Sequence, residues 1–71
     1  MKLVVRSQVF EVKDFAEASA TYCRLRNESG EGGSTFRPGR LAGNYISYNG
    51  RVWKGKPRDW TPGTQPVYSP A

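Results

Sequence analysis

The chain has 71 residues, with eleven Lys or Arg against six Asp or Glu, a net charge of +5, no histidine and a single cysteine. A chain of this length supports one small domain and buries only about 60% of the surface its unfolded form exposes. Without histidine and with one thiol it cannot assemble a Cys/His zinc site, a Ser-His-Asp relay, a Cys-His dyad or an internal disulfide, so the expectation is no metal, no cofactor and no enzyme.

The lone thiol suits a reducing cytoplasm. Met1-Lys2-Leu3-Val4-Val5 is too short an apolar run for a signal peptide before Arg6 interrupts it, and no stretch is long and apolar enough to span a membrane.

Residues 2–12 are rich in β-branched side chains and contain no Gly or Pro, which predicts extended strand. Leu3 and Val5 share one face and Phe10 and Val12 the other, so the phase changes near Ser7 and Gln8. A bulge there, or a break into two short strands, puts all four inward.

Asp14 is a good N-cap, Glu17 stands three residues later, and Phe15, Ala18, Tyr22 and Leu25 follow at helical spacing. The helix therefore presents one apolar stripe, with Glu17, Thr21, Arg24 and Glu28 in water and Gly30 as its stop. Cys23 sits at the edge of the stripe and reads as a small packed residue rather than a reactive thiol, since only Arg24 is placed to lower its pKa.

Residues 30–43 hold five glycines and one proline and are expected to form a loop, pinned by Phe36 and Leu41, with Arg37 and Arg40 exposed. The loop lacks the Gly-Lys-Ser/Thr ending and the following helix of a phosphate-cradling loop.

Asn49-Gly50 between two β-rich runs predicts a type I′ hairpin with a two-residue loop. That register sets Tyr48 opposite Arg51, Ser47 opposite Val52, Ile46 opposite Trp53 and Tyr45 opposite Lys54. The face bearing Ile46 and Trp53 has the larger apolar area and is expected to cover the helix stripe.

Pro57, Pro62, Pro66 and Pro70 then make residues 57–71 an extended tail on a domain spanning 1–56. Trp60 and Val67-Tyr68 are the candidates to fasten it. The proline spacing gives no clean P-x-x-P ligand.

Several segments, Glu17-Ala18-Ser19, Arg26-Asn27-Glu28-Ser29-Gly30, Gly33-Ser34 and above all Ile46-Ser47-Tyr48-Asn49-Gly50-Arg51-Val52-Trp53, resemble small uncharacterised proteins carried by proteobacterial genomes, plasmids and phages. The resemblance covers roughly residues 8–55 and implies a bacterial or mobile-element origin. It brings no activity and no residue roles.

The expected architecture is α+β, in the order β-α-β-β, with one helix on an antiparallel sheet. Residues 1–31 carry five cations and five anions, whereas from residue 32 onward six cations face Asp59 alone. Those cations are interleaved with aromatic rings, a pattern suited to a polyanion that offers flat bases.

The expected function is thus a basic, non-catalytic binding module for DNA or RNA, with Arg37, Arg40, Tyr45, Tyr48, Arg51, Lys54, Lys56 and Arg58 as the contact residues. The alternative is an accessory or inhibitor protein that offers the same charges to an acidic protein surface. A net charge of this size also serves solubility alone. A catalytic reading built on Glu and Tyr finds no two carboxylates predicted to face one cleft. Pairing of the exposed hairpin edge with a second copy is a further expectation.

Overall fold

The computed structural model describes residues 1–70. It is a small α+β domain in which one helix packs on a five-stranded antiparallel sheet. The elements are β1 (Lys2–Val5), β2 (Gln8–Glu11), α1 (Phe15–Ser29), β3 (Gly39–Leu41), β4 (Asn44–Ile46), β5 (Val52–Lys54) and a 3-10 turn at Pro57–Asp59. Their order in the sheet is β2-β1-β3-β4-β5. The expected β-α-β-β order is therefore corrected to β-β-α-β-β-β. The first strand breaks into a hairpin at the phase change, and the Gly-rich loop contributes β3.

The break between β1 and β2 falls at Arg6-Ser7, where Arg6 takes a left-handed φ of 57°. It puts Leu3 opposite Phe10 and brings Leu3, Val5 and Val12 into the core.

Helix α1 starts where its local chemistry dictates. The Asp14 carboxylate accepts from the Glu17 amide at 2.8 Å, while the Glu17 side chain accepts from the Lys13 amide at 2.7 Å. Gly30 ends the helix with a φ of 70°. The stripe packs on Leu3, Val5, Ile46 and Val52, with Ala18 and Tyr22 fully buried.

The β4–β5 hairpin departs from the expected register by one residue. Ile46 lies opposite Val52, Tyr45 opposite Trp53 and Asn44 opposite Lys54. The Ser47 amide donates to the Arg51 carbonyl at 2.9 Å and the Gly50 amide to the Ser47 carbonyl at 2.8 Å, so the loop has three residues, Tyr48-Asn49-Gly50. Only Gly50 has positive φ, at 90°, which rules out type I′ and matches a tight turn closed by a glycine bulge.

A one-residue slip moves side chains to the other face of a strand. Ile46 and Val52 point at the helix, while Trp53 joins Tyr45 on the opposite face, so the expected pairing of Ile46 with Trp53 on the inward face is corrected.

The hairpin tip is held against the helix. Ser19, buried in α1, donates from its hydroxyl to the Gly50 carbonyl at 2.7 Å. A Cβ on Gly50 would stand 2.7 Å from Cys23 Sγ and 3.3 Å from Ser19 Oγ, so this contact admits glycine alone. Cys23 is accordingly a packed, partly buried thiol.

After the 3-10 turn the chain folds back along β5. Val52 and the Val67–Tyr68 pair exchange backbone hydrogen bonds, with Val52 N–H donating to Tyr68 O at 2.9 Å and Val67 N–H to Val52 O at 2.8 Å. Both candidate anchors are engaged, since Trp60 also packs edge-on to Trp53, with centroids 6.4 Å apart. The outer edge of β5 at Val52 is thus already paired within the chain, and a second copy would have to displace the tail to use it.

Candidate functional site

The residues of highest charge density converge where β3, β4 and β5 meet the 3-10 turn. A groove of about 780 Å³ is lined there by Arg37, Arg40, Lys56 and Arg58, with Asp59 as the lone carboxylate. A second, adjoining groove adds Arg6 to Arg37, Arg40 and Pro57.

The cations arrive in two pairs, each from a different piece of local structure. Arg37 and Arg40 flank the entry to β3, which the helix holds in place. The Tyr22 hydroxyl donates to the Arg37 carbonyl at 3.0 Å, and the Tyr22 ring packs on Phe36 at 5.3 Å.

Gly39 is required between the two arginines, because a Cβ there would approach Tyr22 Cδ1 to 2.9 Å and Leu3 Cδ1 to 3.2 Å. Burial pushes the Tyr22 phenol up to about 12, so it remains a neutral donor across the physiological range.

Arg40 takes its facing from the sheet. It lies opposite Val4 on one side and Tyr45 on the other, and Tyr45 lies opposite Trp53. Cross-strand partners share a face. Arg40 therefore emerges on the side away from the helix, beside the Tyr45–Trp53 ring pair, whose planes lie 16° apart.

Lys56 and Arg58 are carried by the 3-10 turn. Gly55, at a φ of 87°, opens it and donates from its amide to Gly43 O at 2.8 Å, closing the hairpin end. The Asp59 carboxylate accepts from the Lys56 amide at 3.1 Å, so the only acid of the groove is used to cap its own turn.

Among the described residues, Arg37, Arg40, Lys56 and Arg58 form no ion pair. The cations that do are Arg6 with Glu31, Arg24 with Glu28, and the Met1 amino group with Glu11.

Of the eight contact residues expected from sequence, four share the groove. Tyr48 and Arg51 stand at the hairpin tip, a three-residue strand away, or about 10 Å. The Tyr48 ring is occupied, with the Arg26 guanidinium 5.3 Å from its centroid and its hydroxyl donating to Glu31 O at 2.8 Å.

Tyr45 is buried at 5% exposure and backs the sheet, with no ring face open to a partner, and burial raises its pKa. Lys54 is exposed, but strand alternation puts it on the face opposite Arg40 and Trp53.

Two residues beside the groove were missed. Arg6 belonged to the charge-neutral half of the chain, and nothing local signals that β1–β2 folds it beside Arg37. Trp60 follows the groove-lining Asp59 and is 48% exposed, with its plane 85° from that of Trp53.

No group of three or more Cys, Asp or Glu side chains able to hold a metal converges among the described residues. None of their helices is long and apolar enough to cross a membrane. Comparison with family models, curated proteins and solved structures finds no match for this chain.

Proposed function

We propose that the chain is a small non-catalytic module that binds nucleic acid through the groove of Arg37, Arg40, Lys56 and Arg58. The observation that carries this reading is the convergence of four cations, from two segments distant in sequence, around one carboxylate that is already hydrogen-bonded to backbone. Like charges brought together without counter-ions repel one another, and a polyanion supplies the missing charge while releasing its own condensed counter-ions. The groove's lining of Pro38, Leu41 and Pro57 between the cations adds apolar surface of the kind that accepts sugar and base as well as phosphate.

The test is a binding titration of the intact chain against labelled single-stranded and duplex DNA across salt. Four phosphate contacts give a slope of log K against log salt of about −3 to −4. Replacing Arg37, Arg40, Lys56 and Arg58 together by Ala is expected to abolish that binding with little change in stability, whereas Arg24→Ala leaves it intact. Binding to poly-glutamate but to neither nucleic acid would assign the groove to an acidic protein surface instead.

A further inference from the structure

We infer that the groove takes a single strand, with its phosphates on Arg37, Arg40, Lys56 and Arg58 and one unpaired base on the open face of Trp60. This rests on the groove being a nucleic-acid site and adds what kind of nucleic acid it selects.

Three observations point the same way. The first is Trp60 itself. The ring is 48% exposed, and it directly follows the turn that carries Lys56, Arg58 and Asp59, one residue beyond the groove lining. Its contact with Trp53 is perpendicular, at 85°, so Trp53 cannot occupy both faces of the indole. Base stacking requires such a face, held at a fixed angle beside phosphate-binding cations.

The backbone that carries the ring is also held, and so is the ring it packs on. The Trp60 amide donates to Pro57 O at 3.2 Å, and Trp53 beneath it is tied by its indole N–H to Ser47 Oγ at 2.8 Å.

The second observation is the size of the groove. About 780 Å³ falls within the roughly 300–1,000 Å³ of small-ligand sites, room for a nucleotide or two. A duplex can only lie across its mouth, where its bases are already stacked on each other and Trp60 has nothing to take.

The third is the helix. Recognition of a duplex commonly inserts a helix into the major groove. The solvent side of α1 carries Glu17 and Glu28, and its Arg24 is paired with Glu28 at 3.4 Å. That surface repels phosphate and stands on the other side of the sheet from Arg40 and Trp53.

The experiment compares the full chain with Trp60→Ala and Trp60→Phe, using a fluorescein-labelled oligo(dT) and a duplex of equal phosphate number at about 50 mM salt. The expected result is that oligo(dT) binds more tightly than the duplex. Trp60→Ala should weaken oligo(dT) binding on the order of tenfold and leave duplex binding unchanged, and Trp60→Phe should retain it within a few-fold.

Near-UV circular dichroism of the Trp60 variants, read beside the affinities, separates loss of stacking from loosening of Trp53, since Phe keeps the packing. Equal loss for both DNAs, or no loss with Ala, overturns the single-strand inference and leaves the groove as a phosphate site. Absence of binding to either DNA overturns the nucleic-acid reading and this inference together.

Discussion

The two ends of the β4–β5 hairpin use the same kinds of residue for opposite purposes. At the tip, the turn and the arginine beside it are engaged with the rest of the fold, and only the Arg51 side chain is left in solvent. Ser19 bonds to Gly50, Asn49 accepts from the Arg51 amide, and Arg26 donates to the Tyr48 carbonyl at 2.7 Å while covering its ring. At the open end, Gly55 and Asp59 form an equally tight turn, yet the cations it carries have no partner among the described residues. The difference teaches which charges are structural. A guanidinium that already has an acceptor and a ring beneath it gains little from a ligand, whereas one without either retains its full interaction for a partner.

The sharpest way to break the tip is Gly50→Val. The substitution forces a β-branched residue to a φ of 90° and drives its Cβ to 2.7 Å from Cys23 Sγ. Left-handed strain and overpacking together are expected to cost about 2–4 kcal/mol, a large share of what a domain of this size possesses. Chemical denaturation followed by tryptophan fluorescence measures it. A midpoint unchanged from the parent chain would show that the tip is not locked onto the helix.

Much of this frame was readable in advance, and the unreadable parts have one cause. Helix α1 declared itself because its signals are local: Asp14 caps it, Gly30 ends it, and the stripe between them has the right period. The phase change at Ser7 marked where the first extended run is interrupted but left a bulge and two short strands open, and the structure makes it a hairpin.

Strand β3 was hidden, since Gly39-Arg40-Leu41 has no strand propensity to speak of. It is a strand because Gly39 lets its backbone close on Tyr22 and Leu3. Asn49-Gly50 was found as a turn but misjudged in length. Ser19 and Cys23, distant in sequence, hold Gly50 in a glycine bulge, and that single extra loop residue carries Trp53 across the sheet.

For the site, composition showed that the second half of the chain is basic. Which cations meet depends on that register and on the 3-10 turn, so Tyr48 and Arg51 separated from the groove while Arg6 came to line the adjoining one and Trp60 to follow its last lining residue.

At the open end the informative change is smaller and runs in the other direction. Asp59→Asn keeps an oxygen that can accept from the Lys56 amide, so stability should stay within about 0.5 kcal/mol of the parent. It removes the groove's only negative charge. A phosphate about 6 Å away is relieved of roughly 0.7 kcal/mol of repulsion in water, and DNA affinity at low salt should rise about threefold. Isothermal titration reads the gain. An unchanged or weakened affinity would mean that ligand does not approach this turn.

The smallest effect lies between the two ends, at Arg6, which lines the adjoining groove but is committed to Glu31. The hydrogen bond from the Arg6 guanidinium holds the Glu31 carboxyl below its ordinary value of 4.5. The folded chain therefore binds this proton less readily than the unfolded chain, and the pair contributes its stability above about pH 4.5. As pH falls through the lower folded midpoint, Glu31 is neutralised and the contribution is lost. Both partners are substantially solvated, so salt weakens the effect.

Carbon-detected NMR titration of the Glu31 carboxyl should give a midpoint below 4.5 that returns to the ordinary value in Arg6→Ala. Protonation also releases Arg6 to the adjoining groove. DNA phosphates stay ionised, so affinity should increase modestly as Glu31 titrates, and Glu31→Gln should show that increase already at neutral pH. If Glu31→Gln binds no better than the parent, Arg6 remains with Phe36, whose ring lies 4.8 Å beneath its guanidinium, and is structural like the arginine at the tip.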